Sequence, residues 1–347
     1  MARSENDDAR IVSAVYSTLS GEAVGRAVEA SYPLAPVAEC RLLLRGRNDV
    51  YELRRADGLR CIVRVSPHRR SGDVNVGYEL ALLAHLKRAG LAVASVRFSK
   101  LGESSIEIAA VEGARALVVF DLLSGEAPSD HLSDFALMGA GLSRIHGAAE
   151  HYRGPSSVHR LDVEHLVRRP LRRVLSLPTV DDPMREAFSG LATELAQEID
   201  RRKNLSLVTC HGDYCVPNVL VDTLPTGERS AACFDFEDGG PGYLAYDLAT
   251  FLWGELVQTD TLAVTDLVRE RWTHFLDGYR QVAPLAGPDL EATGQFVLAR
   301  HFWWMGECAS HVEEVGTQDM PLRWLRAQLA TLQAWQTSLV KSLPEAR

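Results

Sequence analysis

Hydrophobic positions change their period once along this chain, and the change divides it. Over the first third, short runs rich in branched residues alternate with turn signals: RLLLR at 41–45, VYELRR at 50–55 and CIVRVS at 61–66. Such runs predict strands. Ala56-Asp57-Gly58, between the second and third, predicts a hairpin turn. VGYELALLAHLKRAG (76–90) has a helical pattern closed by Gly90 in the C-cap position. SIEIAAV (105–111) and ALVVFDLL (116–123) predict another hairpin, turning across Glu112-Gly113-Ala114-Arg115. From residue 130 the period lengthens. Phe135, Met138, Leu142 and Ile145 recur every three or four residues, as a buried helix face requires. Helical patterns continue through 161–203, 243–281 and 289–342. One strand-turn-strand block interrupts them: LSLVTC (205–210), NVLVD (218–222) and SAACFDF (230–236), with Pro225-Thr226-Gly227-Glu228 as a turn. The expected fold class is α+β, with a small antiparallel β lobe over residues 1–122 and a larger, mainly helical lobe over 123–347.

Composition adds limits to that picture. A length of 347 residues suits one two-lobed unit or two domains, and 46% hydrophobic with 24% charged residues is the make-up of an ordinary globular protein. No apolar run approaches the roughly 20 residues needed to span a bilayer. Glu5, Asp7 and Asp8 precede the first apolar stretch, where a signal peptide would be basic. A cytoplasmic protein with no membrane partner is expected. The six cysteines show no C-x-x-C pair and read as reduced, mostly buried thiols. The net charge of −9 is uneven: +2 over residues 1–125 and −11 over the remainder. The acidic second part argues against nucleic acid as the main partner. It suits a cationic substrate and, equally, simple solubility.

The candidate chemistry sits on the strand block within the helical part. His211-Gly212-Asp213-Tyr214-Cys215-Val216-Pro217-Asn218 places a carboxylate and an amide five residues apart, on a loop between two strands. Phosphoryl transfer needs one carboxylate to orient or deprotonate an attacking hydroxyl, and a nearby oxygen ligand for Mg²⁺. Asp213 fits the first role and Asn218 the second. Phe234-Asp235-Phe236-Glu237-Asp238 follows the next apolar strand, so a hairpin running from Asn218 to Asp235 would bring two oxygen ligands together.

The H-G-D-x4-N octet and the later apolar-D-F-E resemble the aminoglycoside phosphotransferase and choline kinase superfamily, which includes homoserine-kinase-like relatives and has a two-lobed protein-kinase-like fold. Protein kinases read H-R-D-x4-N and D-F-G at these places. Here Gly212 stands for the Arg and Phe236-Glu237 follow Asp235, as in the small-molecule branch. Gly242-Tyr243-Leu244-Ala245-Tyr246-Asp247-Leu248-Ala249 is typical of the same branch. The resemblance implies that Asp213 is catalytic and that Asn218 and Asp235 hold the metal, with His211, Glu237 and Asp247 in support. Asp247 would brace the catalytic loop. It further implies a nucleotide site using a cation on the third strand paired with a helix acid, here Arg64 in place of the commoner Lys, and Glu79. Arg64 could also be an ordinary outward strand residue. Asn48 lies where the family has its phosphate-covering loop. Phe120 and Leu122 lie where its hinge backbone meets the base, or at a plain strand end. The His of Ser143-Arg144-Ile145-His146 is usually structural in the superfamily.

The expected activity is transfer of the γ-phosphate of ATP or GTP, with Mg²⁺, to a hydroxyl of a small molecule: an amino alcohol, amino acid, aminoglycoside or other antibiotic. A Ser/Thr protein kinase of this fold, a metal-dependent phosphohydrolase and a nucleotide-binding pseudokinase are the alternatives. Trp303, Trp304 and Glu307 set aromatic faces beside an acid, a combination that holds ammonium groups. An aromatic stripe in a helix is, however, more often core than pocket.

Overall fold

Residues 13–68, 75–223 and 226–342 are described in the computed structural model. The acidic N-terminal stretch at 5–8 and Pro225 of the expected turn lie outside them. Contacts divide the chain into two compact units, residues 1–74 with 94–122, and residues 75–93 with 123–347.

In the first unit, helix α1 (Gly21–Ser31) begins at Ser20, whose hydroxyl accepts from the Ala23 amide at 3.2 Å. Strands β1 (Val37–Arg45), β2 (Asp49–Arg55) and β3 (Arg60–Val65) follow as the branched runs predict. Helix α2 (Val76–Arg88) intervenes, and then come β4 (Val96–Arg97), β5 (Ile106–Ala110) and β6 (Gly113–Asp121). The sheet order is β1-β2-β3-β6-β4, with β5 also paired to β6 and every pairing antiparallel. Val24, Val28 and Tyr32 from α1 and the residue after it pack on Tyr51, Leu53, Cys61, Val63, Val65, Leu117 and Val119 to make the core. The β5–β6 turn is tighter than expected: Ala110 pairs with Gly113, so residues 113–115 are already strand. Arg115 explains the difference. Its side chain is fully buried and bonds the Asp49 carboxylate at 2.9 Å and the Ser66 carbonyl at 2.8 Å, which holds it in the sheet rather than in a turn.

The segment 75–93 falls with the second unit, whereas the expected first lobe ran unbroken over 1–122. The reason is polar. Asn75, buried at the start of α2, donates to the carbonyls of Glu237 and Gly239, each at 2.9 Å, and accepts from the Val158 amide. At the other end of the segment, Cys233 donates its amide to Ala92 O at 3.1 Å.

The rest of the second unit is helical around two small ribbons. Helix α3 (Leu132–Ala149) leads to a π-turn (Glu164–Arg168), α4 (Arg169–Leu175) and α5 (Asp182–Arg201). Strand β7 (Leu207–Cys210) pairs with β10 (Gly240–Tyr243), and β8 (Val219–Thr223) pairs with β9 (Arg229–Cys233), both antiparallel. Helices α6 (Leu244–Gln258), α7 (Asp266–Val282), α8 (Gly287–Ser310), α9 (Val312–Val315) and α10 (Leu322–Ser342) complete the unit. Glycines let α3 and α7 pack backbone to backbone: a Cβ on Gly139 would stand 1.8 Å from the Phe275 carbonyl, and one on Gly278 1.9 Å from that of Ala136. Beside this crossing Phe251 and Phe275 stack at 4.1 Å. Among the described residues no helix is long and apolar enough to cross a membrane.

Candidate active site

Strand β7 ends at Cys210 and delivers the octet. The chain must then turn sharply beside the 236–239 loop, and Gly212 does this at φ +88; a Cβ there would lie 2.3 Å from Asp238 O. Asp247, in the first turn of α6 and fully buried, holds the turn from beneath. One carboxylate oxygen accepts from the His211 amide at 2.6 Å, and the other from the Gly212 amide at 2.9 Å. His146 on α3 contacts the first of these oxygens at 3.0 Å, and its other ring nitrogen meets the Tyr279 hydroxyl at 2.9 Å. The close α3–α7 crossing thus builds a chain from Tyr279 through His146 and Asp247 to the loop backbone. The family resemblance gives Asp247 a bracing role, and its contacts run to the backbone of this loop.

His211 is a strut within the loop. One ring nitrogen meets Phe234 O at 3.1 Å and the other accepts from the Asp213 amide at 3.2 Å, while the ring packs at 4.2 Å from Phe236. Burial holds its pKa below the usual histidine range, so it stays neutral.

Asp213 is partly open to solvent, with 24% of its side chain exposed. Asn218 sits at the end of a 3₁₀ turn stiffened by Pro217, and its amide nitrogen donates to Asp213 O at 2.9 Å and to Asp213 Oδ2 at 3.2 Å. That orientation turns the amide oxygen away from Asp213. Val219 pairs with Cys233 in the β8–β9 ribbon, and Phe234 donates its amide to Asn218 O at 3.2 Å. The ribbon's open end therefore sets Asn218 beside the segment carrying Asp235. Asp235 has φ +67, a left-handed conformation that residues other than glycine seldom adopt and that clusters at functional sites. Among the described residues no group of three or more His, Cys, Asp or Glu could hold a metal by itself. One amide and one carboxylate at adjacent strand ends suit a hard cation whose remaining ligands are phosphate oxygens and water.

Arg300, on α8, is the residue that sequence reading missed. Its Nη2 donates to Asp213 Oδ1 at 2.5 Å, and its Nη1 donates to Gly212 O and to the Tyr246 hydroxyl, each at 3.3 Å. The guanidinium carbon lies 4.2 Å from the Trp303 ring and 4.9 Å from that of Trp253. Burial alone would depress its pKa; the Asp213 carboxylate and the Tyr246 hydroxyl outweigh this and raise it. One signal was available: a lone Arg inside the apolar run FVLARHFWW is seldom buried without a partner.

The aromatic-acid combination on α8 has partners within the protein. The Trp303 face is covered by Arg300, and its indole N–H reaches His165 Nε2 at 3.3 Å. Glu307 bonds Arg173 at 2.6 Å. Trp304 lies among Trp253, His301 and Trp324. These contacts remove the physical ground for reading the three residues as an open ammonium cage: the cation on Trp303 is the protein's own.

Of the nucleotide-side candidates, four belong to the first unit. Asn48 is half-buried in the β1–β2 loop, with its carbonyl bonded to the Gly46 amide at 3.1 Å. Arg64 on β3 is buried rather than outward, its guanidinium 5.4 Å from the Phe120 ring on β6. Leu122, just past β6, is 41% exposed. Glu79 belongs to the second unit, fully buried in the first turn of α2, and Glu237 is buried there too.

An antiparallel sheet, a helical unit and a loop carrying Asp213 and Asn218 beside the segment of Asp235 are the features of a kinase-type phosphotransferase. Residues 40–285 match the phosphotransferase enzyme family, and the chain belongs to that family. An uncharacterized protein of Deinococcus radiodurans is 33% identical over 336 residues, covering 94% of this chain and 93% of that one. Among solved structures, amicoumacin kinase in complex with AMP-PNP, Ca²⁺ and Ami superposes with a TM-score of 0.73 at 20% identity, covering 94% of this chain and 96% of that chain. A microcompartment-associated aminopropanol kinase gives 0.67 at 19% identity, covering 90% and 95%. The expected α+β fold of protein-kinase type is the fold observed.

Proposed function

We propose that this enzyme transfers the γ-phosphate of ATP or GTP to a hydroxyl of a small molecule, with Asp213 as the base. The observation that carries the reading is the state of the Asp213 carboxylate. It is partly exposed, held at Oδ1 by Arg300, and lies on a loop braced by the buried Asp247. In the proposed step, Asp213 Oδ2 takes the hydroxyl proton as the acceptor oxygen bonds to the γ-phosphorus. The bond from that phosphorus to the bridging oxygen breaks, and the nucleoside diphosphate leaves.

Asn218 and Asp235 would hold Mg²⁺, which supplies neutralisation of phosphate charge when bound. Arg64 would steady the α/β-phosphates, since a guanidinium grips phosphate bidentately and never loses its charge. Glu79 would stabilise the nucleotide-binding machinery, and Asn48, Phe120 and Leu122 would contact the nucleotide. His211, Glu237 and Asp247 would act by holding the loop and the 234–238 segment in place. Likeness to kinases of amicoumacin and aminopropanol supports a small-molecule acceptor.

The test is a panel of amino alcohols, hydroxy amino acids and aminoglycosides, followed by diphosphate release, on the wild type and on Asp213→Asn. Labelled phosphate should appear in a small molecule and not in protein, and the variant should lose transfer. Phosphate released equally to water with every compound would favour a hydrolase instead and sink the proposal.

A further inference from the structure

We propose that Arg300 is a positioning residue that sets which oxygen of Asp213 faces the acceptor; this rests on the base role proposed for Asp213. A cation with 3% of its side chain exposed must find a counter-charge or incur a large desolvation cost, and Asp213 is the carboxylate that it meets. The contact is more than a charge pair. The guanidinium bonds the loop at two consecutive residues, Gly212 through its carbonyl and Asp213 through its carboxylate, and bonds α6 at Tyr246. Trp253 and Trp303 contact its face at 4.9 and 4.2 Å, so the plane of the fork is fixed before any substrate arrives. A fixed fork on Oδ1 fixes the carboxylate torsion. Oδ1 also accepts from the Cys215 thiol at 3.4 Å, whereas among the described residues Oδ2 accepts from the side-chain amide of Asn218 alone, at 3.2 Å. The oxygen left to take a proton is therefore Oδ2. Arg300 does not touch the reacting atoms in this assignment; it aims the group that does.

Arg300→Met keeps the methylene packing and removes the fork, and Arg300→Ala leaves a slot beside the two tryptophans that free guanidinium can enter. Both are assayed as diphosphate release from MgATP with the best acceptor of the panel, or with water where none turns over. The expected result for Arg300→Met is a fall in kcat of about 100-fold, the scale of a misaimed catalytic group. Its KM for MgATP should change by no more than about threefold, since it has lost aim and not nucleotide binding. Guanidinium chloride below denaturing concentration should restore part of the rate of Arg300→Ala and none of that of Asp213→Asn. A kcat for Arg300→Met close to wild type, or no rescue of Arg300→Ala, overturns the proposal. If the alanine variant does not fold, Arg300→Lys takes its place: it should recover part of the methionine variant's loss, and equal rates in the two overturn the proposal. Inactive Asp213→Asn beside active Arg300→Met would defeat this inference alone. Active Asp213→Asn would defeat the base assignment and this inference with it.

Discussion

The loop at 211–218 and helix α8 meet at one carboxylate, yet they are built in opposite ways. The loop keeps its functional groups close in sequence. Asp213 and Asn218 are five residues apart and joined by two hydrogen bonds from one amide, and a glycine and a proline make the turn between strands possible. The helix contributes a single cation from 87 residues away, set among tryptophans that give no hint of its partner. The contrast teaches that a site is legible in a sequence as far as its chemistry is local. What a distant element adds is written as an anomaly: a charge where the pattern calls for core.

The sharpest way to break this contrast is to remove the loop's support. Asp247→Ala strips the partner from the His211 and Gly212 amides and from His146, all buried. It should cost about 3–5 kcal/mol of unfolding free energy, at about 1–3 kcal/mol for each orphaned buried donor, measured by denaturant titration. Asp235→Ala should weaken MgATP binding by about 10- to 100-fold, or about 1.4–2.7 kcal/mol, in calorimetric titration. Asn218→Ala should do less, since an amide offers the ion a dipole and no charge. Unchanged affinity in Asp235→Ala would remove that residue from the metal.

The surroundings of α8 give a pH signature. Burial keeps His165 neutral with a pKa of about 3, and His301 with a pKa of about 4. Both folded-state values lie below the unfolded value near 6.5, so the unfolded chain binds more protons in the interval between. Their contribution to stability is therefore complete above pH 6.5 and declines as pH falls from there toward 4. The slope is at most about 1.4 kcal/mol per pH unit for each group. Thermal melting between pH 7 and 5 should show the decline, and His165→Gln should flatten it. The smallest effect belongs to Glu307→Gln. Its pair with Arg173 is 2.6 Å long but partly exposed on the arginine side, so its loss should cost no more than about 1 kcal/mol and leave the acceptor KM unmoved. A rise in KM for amine acceptors alone would restore Glu307 to the substrate.

Most of the fold could be read because its strands are short branched runs and its helices carry a clear period. The omissions have physical causes. Helix α1 buries Val24, Gly25 and Val28 behind a Ser20 N-cap, and it went unread among the strands that follow it. Strand β10 reads Gly-Pro-Gly-Tyr, and a segment with proline and two glycines has no strand propensity; its pairing with β7 holds it in place. Segment 75–93 groups with the second unit because buried Asn75 bonds the Glu237 and Gly239 carbonyls, a contact with no sequence signal. In the site, spacing made Asp213, Asn218 and Asp235 candidates, and Asp247 entered only through the family resemblance. Trp303, Trp304 and Glu307 read as an ammonium cage only because their partners Arg300, His165 and Arg173 lie on other turns and other helices.

The most direct measurement is single-turnover transfer from labelled MgATP to the best acceptor of the panel, wild type against Asp213→Asn, with nucleotide affinity determined on the same samples. The account predicts a rate lower by about 10²–10⁴-fold, the usual loss for a positioned base, with MgATP bound nearly as tightly as before. A variant that transfers phosphate within a few-fold of wild type would contradict it.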